Sequence, residues 1–366
     1  MRVKLKDITK FSKGTQINGK NLIDDGAYSY LNGGINPSGK WNEFNVAENT
    51  VTISEGGNSS GYVNYMSKAF WCGAHCYYLY DGPKNSKYLY YALKSQQERL
   101  FRIRSGACMP NIKKSDLGNF IIEYEEDETR QEEVVKVLEK CELLIEDYNK
   151  KLALLDEAVR ARFVEMFGDE NNSKGWEIVN IEDVANVQVG VVIKPSQYYT
   201  DQNNGIKAFR SLNIGNGYIK DDDWVYFSKE GNKKNKKSIL STNDVLVVRS
   251  GAPGTTCVVT SEYEGTNAID VIIAHPDFKK VDSYYLCTYT NMPHGKSQII
   301  EGTGGAAQQH FNVGKYNKLK LMLPPLEYQK QYVKFLEEID KSRSRIEKSL
   351  EASQELFDSL MQEYFG

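Results

Sequence analysis

Residues 131–168 align with residues 329–366 without a gap, at a constant offset of 198 positions. Leu138 falls on Leu336, Leu152 on Leu350, Glu165 on Glu363, and Phe167-Gly168 on Phe365-Gly366. A second match, "KLKDITKFSKG" (4–14) against "NIEDVANVQVG" (180–190), pairs Leu5 with Ile181, Asp7 with Asp183, Ile8 with Val184 and Gly14 with Gly190. Its offset is 176, so the later copy carries 22 extra residues. Between the two lies a third match, "NTVTISEGG" (49–57) against "DVLVVRSGA" (244–252), in which an apolar run ends in a Gly-rich turn. An internal repeat of this period settles architecture before any local assignment.

Charge follows the same repeat. Residues 1–122 hold 16 basic and 9 acidic side chains, net +7, and residues 171–326 hold 17 and 15, net +2. Residues 123–170 hold 7 and 16, net −9, and residues 327–366 hold 6 and 9, net −3. Basic blocks therefore alternate with acidic ones although the whole chain carries only −3, and distribution matters more than sum when nucleic acid is a candidate partner. At 366 residues two or three domains with real cores are expected. No apolar run approaches a membrane span and "MRVKLKDITKF" lacks a secretory apolar stretch, so the expected compartment is the cytoplasm. Six cysteines without framework spacing are expected as reduced thiols.

In the acidic blocks Val134, Leu138, Cys141, Ile145, Tyr148, Leu152, Leu155, Val159, Arg162 and Met166 recur at strict 4,3 spacing, the seam of a coiled coil. Shifted by 198 the seam reads Tyr332, Leu336, Ile339, Arg343, Ile346, Leu350, Ser353, Phe357, Leu360 and Tyr364, with Arg162, Arg343 and Ser353 as polar interruptions. Gly168 and Gly366 stand where helices stop. The basic blocks instead show short β-branched runs, "VTIS", "VLVVRS", "CVVT" and "VIIA", parted by Gly, Asn and Pro turns. The expectation is an α+β chain: a mixed α and β globule over 1–124, a helix over 125–168, a second globule over 169–325 and a second helix over 326–366. If the seams pair, connectivity makes them antiparallel, giving a pseudo-two-fold pair of globules on a coiled-coil spacer. The competing arrangement folds each helix onto its own globule.

The segment "LPPLEYQKQYVKFLEEIDKSRSRIEKSLEASQELFDSLMQEYFG", preceded by "GTGGAAQQHFNVGKYNKLKLM", resembles the conserved region of specificity subunits of Type I restriction-modification enzymes. Support is strongest at Leu323-Pro324-Pro325-Leu326 with Gln329; "FGD" (167–169) and Trp176, Ile181, Asp183 and Val184 add to it. Tyr328 replaces the family's usual Glu, and the first copy has "EYEEDETRQ" in place of the Leu-Pro-Pro-Leu run. The resemblance implies a non-catalytic subunit whose two target-recognition domains each read half of a split DNA sequence. It also implies docking of two adenine methyltransferase subunits, which use S-adenosylmethionine and flip the target base, and of an ATP- and Mg-dependent nuclease and translocase. Two other classes stay open: a stand-alone DNA-modifying enzyme, and a coiled-coil scaffold or adhesion protein with two binding heads.

Candidate contacts follow from side-chain chemistry. Lys13 and the run Lys233, Lys234, Lys236 and Lys237, expected in a flexible loop, can neutralise phosphates; the bland alternative is a solvated face. Arg249-Ser250, closing an apolar strand, suits a guanine edge, and its aligned counterpart Ser54-Glu55 places an acid that can accept from a cytosine amino group. By the family resemblance "GTGGAAQQHF" (302–311), with the adenine-reading types Gln308 and Gln309, lies near the recognition surface, as does "RSGACMPNIKK" (104–114) with Arg104, Lys113 and Lys114. Each of these stretches reads equally well as a surface turn. Cys72, His75 and Cys76 in "WCGAHC" are too cramped and too few for a zinc site and read as reduced core residues. The chain has no G-x-x-x-x-G-K-[ST] phosphate loop, so no P-loop chemistry is expected. Its residues suit binding rather than reaction.

Overall fold

The structure, a computed structural model, describes residues 1–106, 108–303 and 311–366. It divides into two compact units, Met1–Lys150 with Ile346–Gly366, and Lys151–Arg345. Two 40-residue helices, Glu128–Phe167 and Leu326–Phe365, are each shared between them. Every unit thus owns the beginning of one long helix and the end of the other.

Among the described residues the first unit contains nine strands: β1 (Arg2–Lys4), β2 (Lys10–Lys13), β3 (Tyr28–Leu31), β4 (Gly39–Trp41), β5 (Thr50–Ser54), β6 (Val63–Met66), β7 (Phe70–Cys72), β8 (Cys76–Tyr80) and β9 (Ile121–Glu123). They form an antiparallel sheet ordered β2-β8-β5-β6, a smaller sheet ordered β4-β3-β7 and the pair β1-β9. The second unit contains β10 (Glu177–Asn180), β11 (Ala185–Val189), β12 (Tyr199–Thr200), β13 (Gly205–Phe209), β14 (Val225–Ser228), β15 (Val245–Val248), β16 (Thr256–Val258), β17 (Asn267–Ala268), β18 (Val271–Pro276) and β19 (Lys320–Leu323). Its sheets run β11-β18-β15-β16, β12-β14-β13-β17 and β10-β19. Apart from the added edge strand β12, this is the first unit's topology repeated, down to the parallel pairs β3/β7 and β13/β17. The central strands are buried on both faces, as in the fully buried Val245, Leu246, Val247 and Val248 of β15, which explains why the sequence shows continuous apolar runs there rather than alternation.

Gly14 and Gly190 mark the same corner in both units. A Cβ at Gly14 would lie 1.8 Å from the Cys72 carbonyl oxygen, and one at Gly190 would lie 2.4 Å from that of Ala268. Only glycine lets the chain leaving β2 or β11 pass so close to the end of β7 or β17.

Each long helix begins on a buried glutamine. Gln131 Nε2 donates to the Tyr124 hydroxyl (3.0 Å) and to the Glu125 carbonyl (2.6 Å). At the equivalent position Gln329 Nε2 donates to the carbonyls of Pro324 (2.8 Å) and Lys280 (3.1 Å), while its Oε1 accepts from the Asp282 amide (2.8 Å). The helix ends are captured just as firmly. In the second unit Phe163 and Phe167 are fully buried, with ring centroids 5.9 and 4.8 Å from Tyr285 and 5.5 and 5.4 Å from Tyr332. In the first unit Met361 and Phe365 join Val134, Leu138, Leu89 and Ile122 in one core, Phe365 lying 5.2 Å from the Tyr88 ring. The last carbonyls are satisfied by side chains, that of Phe167 by the Trp176 indole (3.0 Å) and that of Phe365 by Gln96 Nε2 (3.1 Å).

Within the second unit the helices run antiparallel, since the Tyr332 hydroxyl donates to the Val159 carbonyl (3.2 Å) and Arg343 pairs with Asp156. None of the twenty seam positions is exposed: Val134, Leu138, Cys141 and Tyr332 are buried, and the rest, including Ile145, Leu152, Leu155, Leu336, Ile339, Ile346, Leu350, Phe357 and Leu360, are half-buried. Near each globule the buried stripe is wider than the seam, because one helix face there must serve both a partner helix and a globular core. No helix among the described residues is long and apolar enough to cross a membrane.

Phe167→Ala is expected to lower the stability of the full chain by about 3–5 kcal/mol, whereas Leu154→Ala, at a side chain 52% exposed, should change it by less than about 0.5 kcal/mol. Denaturant melts of the two variants check this, and equal midpoints would refute the capture of the helix end.

Candidate nucleic-acid interface

In the first unit the end of β2, the residue after β5, the start of β8 and the segment ahead of the helix Lys114–Gly118 converge on a cleft of about 480 Å³. It is lined by Ser12, Lys13, Glu55, Tyr77, Asn111, Ile112, Lys113 and Lys114. Lys13, Glu55, Lys113 and Lys114, singled out from sequence as DNA contacts, are thereby brought together. Glu55 is held between Lys13, with which it forms an ion pair, and His75, whose Nδ1 lies 3.6 Å from Oε2. Tyr77 donates from its hydroxyl to the Ile112 carbonyl (3.3 Å), and burial, with the nearby Glu55 charge, pushes its phenol up to about 12. It therefore stays a protonated donor at neutral pH. Asn111 and Ser105 exchange backbone hydrogen bonds of 2.8 Å, and Gly57 donates to the Pro110 carbonyl (2.9 Å), tying the 104–114 segment to the turn beyond β5.

One sequence expectation for this unit needs correction. Ser54 is 1% exposed and its hydroxyl donates to the Gly33 carbonyl (2.5 Å); it is a core residue that cannot touch a duplex. Arg104 lies outside the cleft lining. Its guanidinium stacks 4.8 Å from the Phe101 ring and donates to the carbonyls of Phe101 (2.6 Å) and Asn58 (3.4 Å), which makes it a brace of the turn.

Hydrogen bonds fix how the two units correspond. Ser54 donates to Tyr62 and accepts from Gly61, as Val248 donates to Thr255 and accepts from Gly254. The next carbonyl accepts from Ile112 in one unit (Glu55, 2.9 Å) and from Phe311 in the other (Arg249, 2.9 Å). Arg249 is therefore the counterpart of Glu55, not of Ser54. The sequence alignment was one residue out of register, because apolar runs buried on both faces carry no period-2 signal to fix the phase. Arg249 Nη1 donates to Asp270 (2.9 Å), and its Nε is buried with no partner among the described residues. Ser250 beside it is half-buried.

Lys233 and Lys234 belong to the helix Lys229–Lys234, and Lys236 and Lys237 to a turn of 3-10 helix, Lys236–Ser238. They are exposed but ordered, in place of the expected flexible loop. A buried polar chain fastens them: Asn267 Nδ2 donates to Asn232 (2.6 Å), and Asn267 Oδ1 accepts from the Ser238 hydroxyl (2.7 Å). Gln188 further donates to the Lys237 carbonyl (2.5 Å) and meets His275 Nε2 at 2.7 Å, while His275 Nδ1 lies 2.6 Å from the buried Asp244. Gln308 and Gln309 lie outside the described residues.

The Cys72, His75 and Cys76 trio does not converge. Both thiols are buried, Cys72 donating to the Cys76 carbonyl (3.4 Å) and Cys76 to that of Tyr77 (3.6 Å), whereas His75 faces Glu55. Hydrogen bonding to Cys76 and burial push the Cys72 thiol far up. The residues missed from sequence are Tyr77, Asn111, His75 as a neighbour of Glu55, and Asp270. Only strand pairing brings them to the site.

The family model for the Type I restriction modification DNA specificity domain matches residues 1–156 and 173–355. The chain belongs to that family. The similarity first seen at Leu323-Pro324-Pro325-Leu326 thus extends over most of both units. A Mycoplasma pneumoniae protein assigned as a type I specificity subunit is 37% identical over 149 residues, 40% of this chain and 40% of that protein. A counterpart from Mycoplasma genitalium is 35% identical over 163 residues, 40% of this chain and 42% of that protein. These matches span about two fifths of the relatives' length. The specificity subunit of a type I restriction enzyme from Methanocaldococcus jannaschii is 23% identical across 72% of this chain and 67% of its own. The crystal structure of a Type-I restriction-modification S subunit from M. genitalium shares the fold, with a TM-score of 0.68 at 20% identity, covering 100% of this chain and 96% of that one.

Maleimide treatment of the native chain should give one adduct, at the exposed Cys108, since the other five thiols are buried; the denatured chain should give six. Mass spectrometry reads the count, and native labelling of Cys72 or Cys76 would contradict their placement.

Proposed function

We propose that this chain is the DNA-reading subunit of a Type I restriction-modification system, each unit recognising one half of a split target. The observation that carries the reading is the repetition of one topology with a charged crevice or residue pair at the same strand end, Lys13, Glu55, Lys113 and Lys114 in one unit and Arg249 with Asp270 in the other. Two readers in one chain make the second binding event intramolecular, which raises avidity without any further contact. Exposed Lys113, Lys114, Lys233, Lys236 and Lys237 supply phosphate neutralisation, and Glu55 and Arg249 supply side-chain chemistry able to discriminate bases.

The chain itself does no chemistry in this proposal. It docks two adenine methyltransferase subunits, which bring S-adenosylmethionine, and a nuclease and translocase, which brings ATP and Mg. The acidic long helices are the docking elements, and the site of action is the cytoplasm. A scaffold or adhesion role would make no use of the clustered lysines.

Fluorescence anisotropy with the full chain tests this. Binding to a duplex carrying the preferred split sequence should exceed that to a scrambled duplex, with log K falling linearly against log salt. Lys113→Ala and Lys114→Ala should each reduce that slope by about one while leaving sequence preference unchanged. Equal affinity for both duplexes at every salt concentration would overturn the proposal.

A further inference from the structure

Once the register is set by hydrogen bonds, the two units place opposite charges at one position. Glu55 and Arg249 each follow the same central strand and accept a backbone hydrogen bond from the same returning segment, through Ile112 and Phe311. On the neighbouring strand Ser54 pairs with Cys76 as Val248 pairs with Val271. The residues preceding those partners, His75 and Asp270, are therefore equivalent too. Each faces its own unit's charge, His75 Nδ1 at 3.6 Å from Glu55 and Asp270 Oδ1 at 2.9 Å from Arg249. The two pairs are opposite in kind: an acid beside an imidazole in the first unit, a base held by an acid in the second. The position of Lys13, the further partner of Glu55, is taken by Val189, which offers Arg249 no like charge.

The partially buried setting adds to the case. The side chains of Glu55 and Arg249 are 16% and 17% exposed, so each presents a limited edge in a fixed direction. Arg249 keeps a desolvated Nε without a partner among the described residues, a state that rearrangement onto an acceptor relieves. An arginine fork matches the O6 and N7 acceptors of guanine, and a carboxylate accepts from the 4-amino group of cytosine.

We infer that the residue one step beyond the central strand is the base-selecting position of each unit, Arg249 taking guanine and Glu55 taking cytosine, with Asp270 and His75 as their positioning partners. This rests on the DNA-reading proposal above. Both half-sites then contain a G·C pair at the corresponding position, read through its guanine in one and through its cytosine in the other.

Selection of the full chain against a pool of random-sequence duplexes tests the inference. The wild-type chain should enrich a two-part motif with one G·C pair assigned to each position. Glu55→Gln and Arg249→Gln should each convert that base to adenine, the base glutamine pairs with bidentately, in one half only, leaving the other half unchanged. Arg249→Lys, which keeps the charge and the Asp270 partner, should retain guanine with selectivity reduced roughly 5- to 100-fold. Thermal melts verify that the variants fold. A wild-type motif that all three folded variants reproduce without change overturns this inference alone; enrichment of no motif by the wild-type chain overturns the DNA-reading proposal and this inference with it.

Discussion

The structure depends on capture of the long-helix ends by aromatic cores. Phe163 and Phe167 stack into Tyr285 and Tyr332, and at the equivalent positions Met361 and Phe365 close over Tyr88 and Leu89. Full burial of side chains this large is worth several kcal/mol each, enough to decide where a helix ends and which way it points. The buried glutamines at the helix starts complement this: Gln329 satisfies two carbonyls and one amide that would otherwise be stranded beneath the first turn, a loss that costs about 1–3 kcal/mol per group. Anchored at both ends, a seam of modest apolar residues suffices in between.

The sequence made the repeat and the helix seams legible because 4,3 spacing is strict and the two helix segments align without gaps. It did not show that Phe163 and Phe167, each one residue past a seam position, enter a globular core, since a widening stripe reads simply as more heptad. The choice posed from sequence, helices paired with each other or folded onto their globules, was too narrow. Tyr332 touches both Val159 of the facing helix and the aromatic core of its own unit.

The candidate interface was legible in part. Lys13, Glu55, Lys113 and Lys114 were named from residue type and fell into one cleft. Ser54 was misjudged and Arg249 misaligned for the same reason: "VTIS" and "VLVV" are buried on both faces, so nothing in their composition marks which residue leaves the core. Asp270 and His75 carry no shared residue type, and only the pairing of β8 and β18 with their neighbours reveals them as one position. The lysine run was recognised as charged but not as helical, because its order comes from Asn232, Ser238 and Asn267, a tertiary polar network that local sequence does not announce.

Sharing each helix between units has a consequence for biogenesis. The core around Tyr88, Leu89 and Ile122 is finished by Met361 and Phe365, which the ribosome adds only after every residue of Lys151–Arg345. Such distant closure is entropically slow. The earliest-made globule must therefore wait, with an apolar socket uncovered, while the later one is synthesised.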